Sequence, residues 1–331
     1  MPNPDLDQTD ARLLDILQRE FPLVPRPFDA LADRLCIATS EVMDRVSRLK
    51  RDSVIRQIGA IFDSAALGYS GALVAFKVAR AMLDQVAERV SAHDAVSHCY
   101  ARDADFNLWF TITLPPDSDL DREIAALAGL EGVESHIVLP ALKVFKIGVF
   151  LDLSCSGRSA SRPDTAERPR SGRSASRPLD DRDRAAIRAL QKDLPVMQRP
   201  FAELAREAGV GEDELLAEAK AFLETGVMRR YAAVLRHQRA GYRANAMVCW
   251  QVEPARIDEA GSALASHPAV SHCYQRAVSP DWPYPLYTMI HCRDDAELER
   301  VIAELAASSG LSEFRILRSL KEYKKSRVIY D

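Results

Sequence analysis

Apolar positions in the first fifty residues fall in three short runs at helical spacing: Leu13, Leu14, Ile16 and Leu17, then Leu31 and Leu35, then Val42, Val46 and Leu49. Such recurrence puts each set on one helix face, so the stretch predicts three short helices. Pro27 and Thr39 stand where helices begin. Three helices of this size predict a helix-turn-helix module over residues 1–53. The pattern then changes. "VIRQIGAIF" and "GALVAFKVA" read as strands, "AMLDQVAERVSAH" as a helix, "AVSHCYA" and "NLWFTITL" as strands, Leu120 to Leu130 as a helix and "VESHIVL" as a strand. The order β-β-α-β-β-α-β predicts a ferredoxin-like βαββαβ unit with one leading strand over residues 54–153.

The whole pattern occurs twice. "FPLVPRPFDALADRL" from Phe21 aligns with "LPVMQRPFAELAREA" from Leu194, and "VIRQIGAIFDSAALGY" from Val54 with "VMRRYAAVLRHQRAGY" from Val227, at an offset of 173. The offset becomes 174 at Val-Ser-His-Cys-Tyr, which recurs intact, and 178 after it, where "AVSPDWPYP" lengthens a loop of the second copy. Preserved order over this span indicates duplication of a whole unit. The prediction is an α+β chain: a tandem duplication of a winged helix-turn-helix plus a ferredoxin-like domain. The second copy has its helical module at 179–226 and its sheet domain at 227–331. Between the copies, residues 154–178 hold "SGRSASRP" twice and no large apolar side chain, which predicts a disordered tether. A tether makes pairing of the copies through their sheets intramolecular, an internal pseudo-dimer, with further self-association left open.

Composition narrows the function. An apolar content of 47% over 331 residues fills ordinary cores, and the longest apolar runs, such as Val144 to Leu153, fall short of the ~20 residues of a membrane span. The polar, acidic start lacks the regions of a secretory signal, so a cytoplasmic protein without membrane contact is expected. Six cysteines without a CxxC pair suggest buried, reduced thiols. A formal charge of −4 argues against a nucleic-acid binder that depends on bulk positive charge. The third helix of copy two, "GEDELLAEAKAFLETG", has five acids against one lysine and would repel a duplex.

A helix-turn-helix followed by βαββαβ, with "HPAVSHCY" after the first sheet helix, resembles the leucine-responsive and asparagine-type regulators, which bind DNA with one module and small molecules with the other. The "RPF" of each copy, "VSHCY" and "WPYPLYTMIH" from Trp282 resemble more specifically the sirohaem decarboxylases, here as a fusion of two related subunits. That resemblance implies removal of carbon dioxide from two acetate arms of sirohaem, giving 12,18-didecarboxysirohaem in haem d1 or haem biosynthesis. The rival reading is a DNA-binding regulator that senses haem or another ligand.

Sirohaem is a flat, iron-bearing macrocycle with eight carboxylates, so its pocket calls for apolar walls and a cationic rim. Trp109, Trp282, Tyr284 and Tyr287, with Phe106, are candidate walls. Arg56 and Arg229, equivalent by the repeat, are candidate carboxylate ligands because the guanidinium grips a carboxylate with two prongs; Lys143 and Lys321 are further candidates. Losing carbon dioxide from a pyrrole acetate leaves electrons that need a sink, and the new methyl needs a proton. A positioned acid supplies both, and no organic cofactor is then required. His98 and His272 are the candidates by their intrinsic pKa, with Tyr100 and Tyr274 as proton donors or hydrogen-bond partners. Either histidine could instead be an axial ligand of the tetrapyrrole iron, or a satisfied structural group. Simple alternation predicts Val96, His98 and Tyr100 on one strand face, with Ser97 and Cys99 on the other. His93 and His267 fit a helix-end role, His291 a place near the pocket, and Arg26 and Arg199 an orienting role in the helical module. That module is expected to close over the tetrapyrrole cavity.

Overall fold

The protein is described by a computed structural model covering residues 6–148, 179–236, 239 and 241–331; the Ser/Arg/Pro tether at 154–178 lies outside the described residues. In copy one the three helices are α1 (Gln8–Arg19), α2 (Pro27–Leu35) and α3 (Thr39–Arg51). Asp7 caps α1 by accepting from the Asp10 amide at 2.7 Å, and the Asp10 carboxylate accepts in return from the Asp7 amide. This satisfies two N–H groups that the helix leaves unpaired. Pro27 opens α2, where its missing N–H has no consequence. Next come β1 (Ile55–Phe62), β2 (Ser70–Val78), α4 (Leu83–Ala92), β3 (Val96–Arg102), β4 (Leu108–Leu114), α5 (Leu120–Ala128) and β5 (Val133–Ile147). Copy two repeats the series as α6 (Asp181–Leu190), α7 (Pro200–Ala208), α8 (Glu212–Thr225), β6 (Met228–Leu235), β7 (Ala244–Trp250), α9 (Ile257–Ser266), β8 (Val270–Arg276), β9 (Leu286–Cys292), α10 (Asp295–Ser309) and β10 (Phe314–Lys325).

The predicted element order forms, but the first and last strands of each unit exchange partners. The leading strand β1 leaves its own copy and pairs antiparallel with β6, Ala60 opposite Tyr231. Strand β5 serves both copies: Val133 to Pro140 pair with β2, and Ala141 to Ile147 pair with β8. Strand β10 does the same, with Phe314 to Arg318 on β7 and Ser319 to Lys325 on β3. The result is a closed eight-stranded order, β10-β3-β4-β2-β5-β8-β9-β7, in which the two copies close each other's sheet edges. Alternation of side chains specifies which face a strand buries, not which copy supplies its neighbour, so this exchange is invisible in the pattern.

Four apolar cores follow. Helices α4 and α5 cover one half of the closed sheet, and α9 and α10 the other. A third, smaller core lies between the two sheet halves, around Leu73, Trp109, Leu139, Trp282, Tyr287 and Leu317. The fourth joins both helical modules to β1, β6 and the C-terminal Tyr330. The modules therefore share one core with the β1–β6 ribbon. Deleting Asp7 to Asp52 removes part of that shared core, so loss of turnover in such a deletion would not identify a lid.

The strand exchange has a tight contact at its centre. Phe145 of β5 sits on Gly261 of α9, where an added Cβ would lie 2.4 Å from the ring. Gly261→Ala is expected to lower stability by about 1 kcal/mol or more, because overpacking outweighs the gain in helix propensity. An unchanged or raised melting temperature would contradict this seating of β5.

Candidate active site

The two Val-Ser-His-Cys-Tyr segments lie on β3 and β8, adjacent to the exchanged strands. Each carries a β-irregularity between its valine and histidine. Strict alternation is broken there. Val96 and Cys99 both enter the helix-side core, as do Val270 and Cys273, while the histidines turn the other way. Val96 therefore does not share the face of His98 and Tyr100, contrary to the simple alternation.

After the irregularity, alternation resumes and builds the same row in both copies. His98 stacks on Tyr100 at 6.3 Å and 25°, and Arg102 lies over the Tyr100 ring at 5.1 Å. His272 stacks on Tyr274 at 6.0 Å and 16°, and Arg276 lies over Tyr274 at 4.9 Å and over Tyr287 at 5.7 Å. The arginines also fasten the copies together. Arg102 donates to the Leu317 carbonyl at 3.1 Å and the Ser319 hydroxyl at 2.7 Å on β10, and Arg276 donates to the Leu139 carbonyl at 2.8 Å on β5. Sequence reasoning missed both arginines. The available signal was the recurrence of His-x-Tyr-x-Arg, whose i, i+2, i+4 spacing shares one strand face.

The serine before each histidine sets its ring. Ser271 Oγ donates to the Met289 carbonyl at 3.1 Å and meets His272 Nδ1 at 2.9 Å. With its hydrogen committed to Met289, Ser271 accepts from Nδ1–H, which leaves the Nε2 lone pair as the reactive edge of a neutral His272. Ser97 Oγ likewise lies 3.0 Å from His98 Nδ1.

Both half-buried imidazoles are held neutral. Burial, then the charges of Lys325 and Arg56, push His98 from its ordinary 6.5 down to about 4. Burial, then Arg230, His98, Arg229 and Arg276, push His272 down to about 3. The two imidazoles thus lie within electrostatic reach of each other. Burial, then the nearby Glu322, raises Tyr100, so its phenol keeps its proton and acts as a hydrogen-bond donor. Because unfolding lets the two histidines protonate at their ordinary pKa, the unfolded chain binds more protons between pH 6.5 and about 4. Stability is then expected to hold above pH 6.5 and to fall on acidification through that window, by on the order of a few kcal/mol. Replacing both histidines by Gln should flatten the slope in denaturant titrations, and an unaltered slope would show that other groups cause it.

Arg56 and Arg229 lie in this region. Arg56 donates to the Lys325 carbonyl at 2.9 Å, whereas Arg229 is paired with Asp63 at 2.5 Å. Lys143 and Lys321 do not join them. They reach to the covering helices instead, pairing with Asp258 and Asp84 at 2.7 Å each, with half-exposed side chains. The aromatic candidates form packed interior. Trp282 is 3% exposed, Tyr287 2% and Trp109 1%, and Trp282 lies 5.3 Å from Trp109, 6.0 Å from Phe106 and 5.0 Å from Tyr284. Trp282 has no counterpart in copy one. Its longer loop sends it across to pack on copy-one aromatics. His93 and His267 close the ends of α4 and α9, accepting from the Ala95 and Ala269 amides at 3.2 Å and pairing with Glu123 and Glu304. His291 is buried on β9 opposite Asn245. Arg26 pairs with Asp29, and Arg199 with Glu212, within the helical modules. No cluster of three or more His, Cys, Asp or Glu that could hold a metal ion occurs among the described residues, and none of their helices is long and apolar enough to cross a membrane.

Residues 66–146 and 239–324 each match the AsnC-like ligand binding domain, and residues 10–56 and 183–229 each match the siroheme decarboxylase NirDL-like HTH domain. The fold and site thus define a fused, double-copy protein of the AsnC-like ligand-binding class. The chain is 38% identical over 320 residues to the siroheme decarboxylase of Hydrogenobacter thermophilus, covering 96% of this chain and 94% of that one. It is also similar to the crystal structure of the siroheme decarboxylase NirDL, at 34% identity and a TM-score of 0.74 over 98% of this chain and 94% of that one. A crystal structure of the siroheme decarboxylase NirDL in co-complex with an iron-uroporphyrin III analogue is similar with a TM-score of 0.73 at 33% identity over 98% of this chain and 94% of that one. The chain belongs to the siroheme decarboxylase family, in its fused form.

Proposed function

We propose that this chain removes carbon dioxide from two acetate side chains of sirohaem, giving 12,18-didecarboxysirohaem, at a site bordered by the His98 and His272 rows. The observation that carries this reading is the pair of neutral imidazoles set among Arg56, Arg229, Arg230, Arg276 and Lys325. Such crowding of cations favours a polyanion, because each carboxylate that enters relieves repulsion as well as forming a charge-assisted bond. Arg56 is the carboxylate ligand beside His98, Arg229 is its equivalent beside His272 and would exchange its bond to Asp63 for one to substrate, and the aromatic cluster is the packed floor beneath the rows.

The same electrostatics couple binding to proton delivery. Carboxylates docked on the cations cancel the charges that depress His98 and His272, so their pKa values climb toward the ordinary range when substrate is bound. A histidinium then protonates the conjugated ring beside an acetate arm, which creates the electron sink. The carbon–carboxylate bond breaks, its electron pair enters the ring, and carbon dioxide leaves. A proton then closes the exocyclic carbon to a methyl as the ring gives up the first one. Each arm thus exchanges one carbon dioxide for one proton with no change in oxidation state, so no organic cofactor or external oxidant is needed. Tyr100 and Tyr274 orient the imidazoles by stacking. The Nε2 lone pair of His272 also suits an axial bond to the substrate iron, with His98 at the equivalent place in its own row.

The regulator reading finds less support. Three of the four cations of α3 are engaged within the chain: Arg45 with Asp7, Asp10 and Glu41, Arg48 with Asp10, and Lys50 with Asp193. The test is anaerobic incubation with sirohaem alongside a salt series of duplex binding. Turnover without salt-sensitive binding to a defined operator is expected, and the opposite pair of results would reverse the assignment.

A further inference from the structure

The two imidazole rows look alike, but their surroundings differ in charge. His98 faces Lys325 across the β3–β10 pairing, whereas His272 faces Ile147 across the equivalent β8–β5 pairing. The two copies also differ in sequence beyond these strands. By the repeat offset of 178, Arg327 corresponds to Val149 in sequence, and by the offset of 173 Arg236 corresponds to Asp63. Arg229, beside His272, is neutralised by that Asp63, and the further charge on His272 comes from Arg230, which stands where copy one has Gln57, and from Arg276, which is bonded to the Leu139 carbonyl. Its equivalent Arg56, beside His98, instead shares its surroundings with Lys325 and Arg327, and Arg236 adds a further charge on Lys325.

One cation at the His98 end, Arg327, is incompletely compensated. Arg327 Nη2 is buried with no hydrogen-bond partner, and Nη1 makes only a 3.5 Å contact with the Ala60 carbonyl. No carboxylate lies within ion-pair distance of Arg327 among the described residues. The carboxylate acting on it from further off, Asp193, is engaged by Lys50 and the Ile58 amide. Leaving a buried guanidinium edge unmet costs about 1–3 kcal/mol or more. The tail that carries it is nevertheless firmly seated. Ser326 donates its amide to the Ser97 carbonyl at 2.7 Å, and Tyr330 packs against Phe62 and Tyr69, meets Ser64 Oγ at 2.6 Å, and bonds Gln191 through both its amide and its carbonyl.

We propose that the C-terminal tail is part of the substrate site: Lys325 and Arg327, with Arg56, bind ring carboxylates at the His98 end, a set that copy one does not supply at the His272 end. The inference rests on the function proposed above and adds to it a direction. The carboxylate-rich edge of the macrocycle docks beside His98, and Arg327 turns from its long contact with Ala60 to meet it. The pseudo-symmetric scaffold thereby takes an unsymmetrical ring in one orientation.

The test transplants the copy-one residues into the tail of the full chain, as Lys325→Ile with Arg327→Val and as Arg327→Val alone. Binding of iron uroporphyrin III, with eight carboxylates, and of iron coproporphyrin III, with four, is followed by the absorbance of the ring. The double variant is expected to lose at least tenfold in affinity for iron uroporphyrin and less than threefold for iron coproporphyrin, and Arg327→Val is expected to show the same preference with no fall in melting temperature. A loss of less than threefold for iron uroporphyrin, or equal losses for both rings, would overturn the tail's role while leaving the proposed function standing. Failure of the unaltered protein to bind iron uroporphyrin would overturn both.

Discussion

His272→Ala is expected to lower sirohaem turnover by at least ~100-fold, the ordinary scale for removing a positioned acid or base. The expectation rests on the ring's fixed setting. Ser271 holds Nδ1, stacking on Tyr274 fixes the plane, and burial with Arg230 nearby keeps the ring neutral until substrate arrives. An effect on turnover through substrate pKa coupling also changes the pH profile. The unaltered enzyme should lose activity as pH rises above the ligand-bound pKa of the imidazole, and the variant should lose that limb. Iron ligation alone would change the ring's spectrum but leave the limb in place. Near-normal rates in His272→Ala would remove this histidine from the chemistry, and the same substitution at His98 assigns the second row.

Trp282→Ala is expected to cost about 3–5 kcal/mol of stability, the range for emptying a buried tryptophan site. Trp282 comes from copy two but packs on Phe106 and Trp109 of copy one, so its removal opens a cavity where the two halves of the closed sheet meet. The surrounding strands are paired on both sides and have little freedom to collapse into the space. Denaturant unfolding measures the effect, and a loss below ~1 kcal/mol would show that the loop is peripheral packing. Phe106→Ala is the companion from the other copy. Because the two side chains touch, their losses should sum to more than the loss in the double variant.

Much of this arrangement is legible in the pattern of residues. Pro27 and Thr39 mark the first residues of α2 and α3, and the recurring pentapeptide locates both site strands. What the pattern conceals has definite physical causes. A β-irregularity adds one residue to one strand only, so alternation read through Ser97 puts Val96 on the wrong face. Strand exchange depends on which neighbour is available in space, so β5 and β10 read as ordinary final strands although each serves two sheets. Aromatic residues near a motif look the same whether they line a cavity or fill a core, and Trp109, Trp282 and Tyr287 fill one. Lys143 and Lys321 recur at equivalent places, and each pairs with an acidic residue of the helix that covers its strand, a partner that sequence spacing does not reveal. Arg102 and Arg276 were hidden by weighing the pentapeptide alone, since the residue that completes each row lies two positions beyond its tyrosine.

The account rests on one idea, that a cation-rich site with two imidazole rows exchanges carbon dioxide for solvent-derived protons on a polycarboxylate ring. The most direct measurement is anaerobic turnover of sirohaem in deuterium oxide followed by mass analysis of the extracted tetrapyrrole. The account predicts loss of two carbon dioxide units, with one non-exchanging deuteron gained in each new methyl group. Recovery of sirohaem at its original mass, or loss of carbon dioxide without deuterium in the methyl groups, would contradict it.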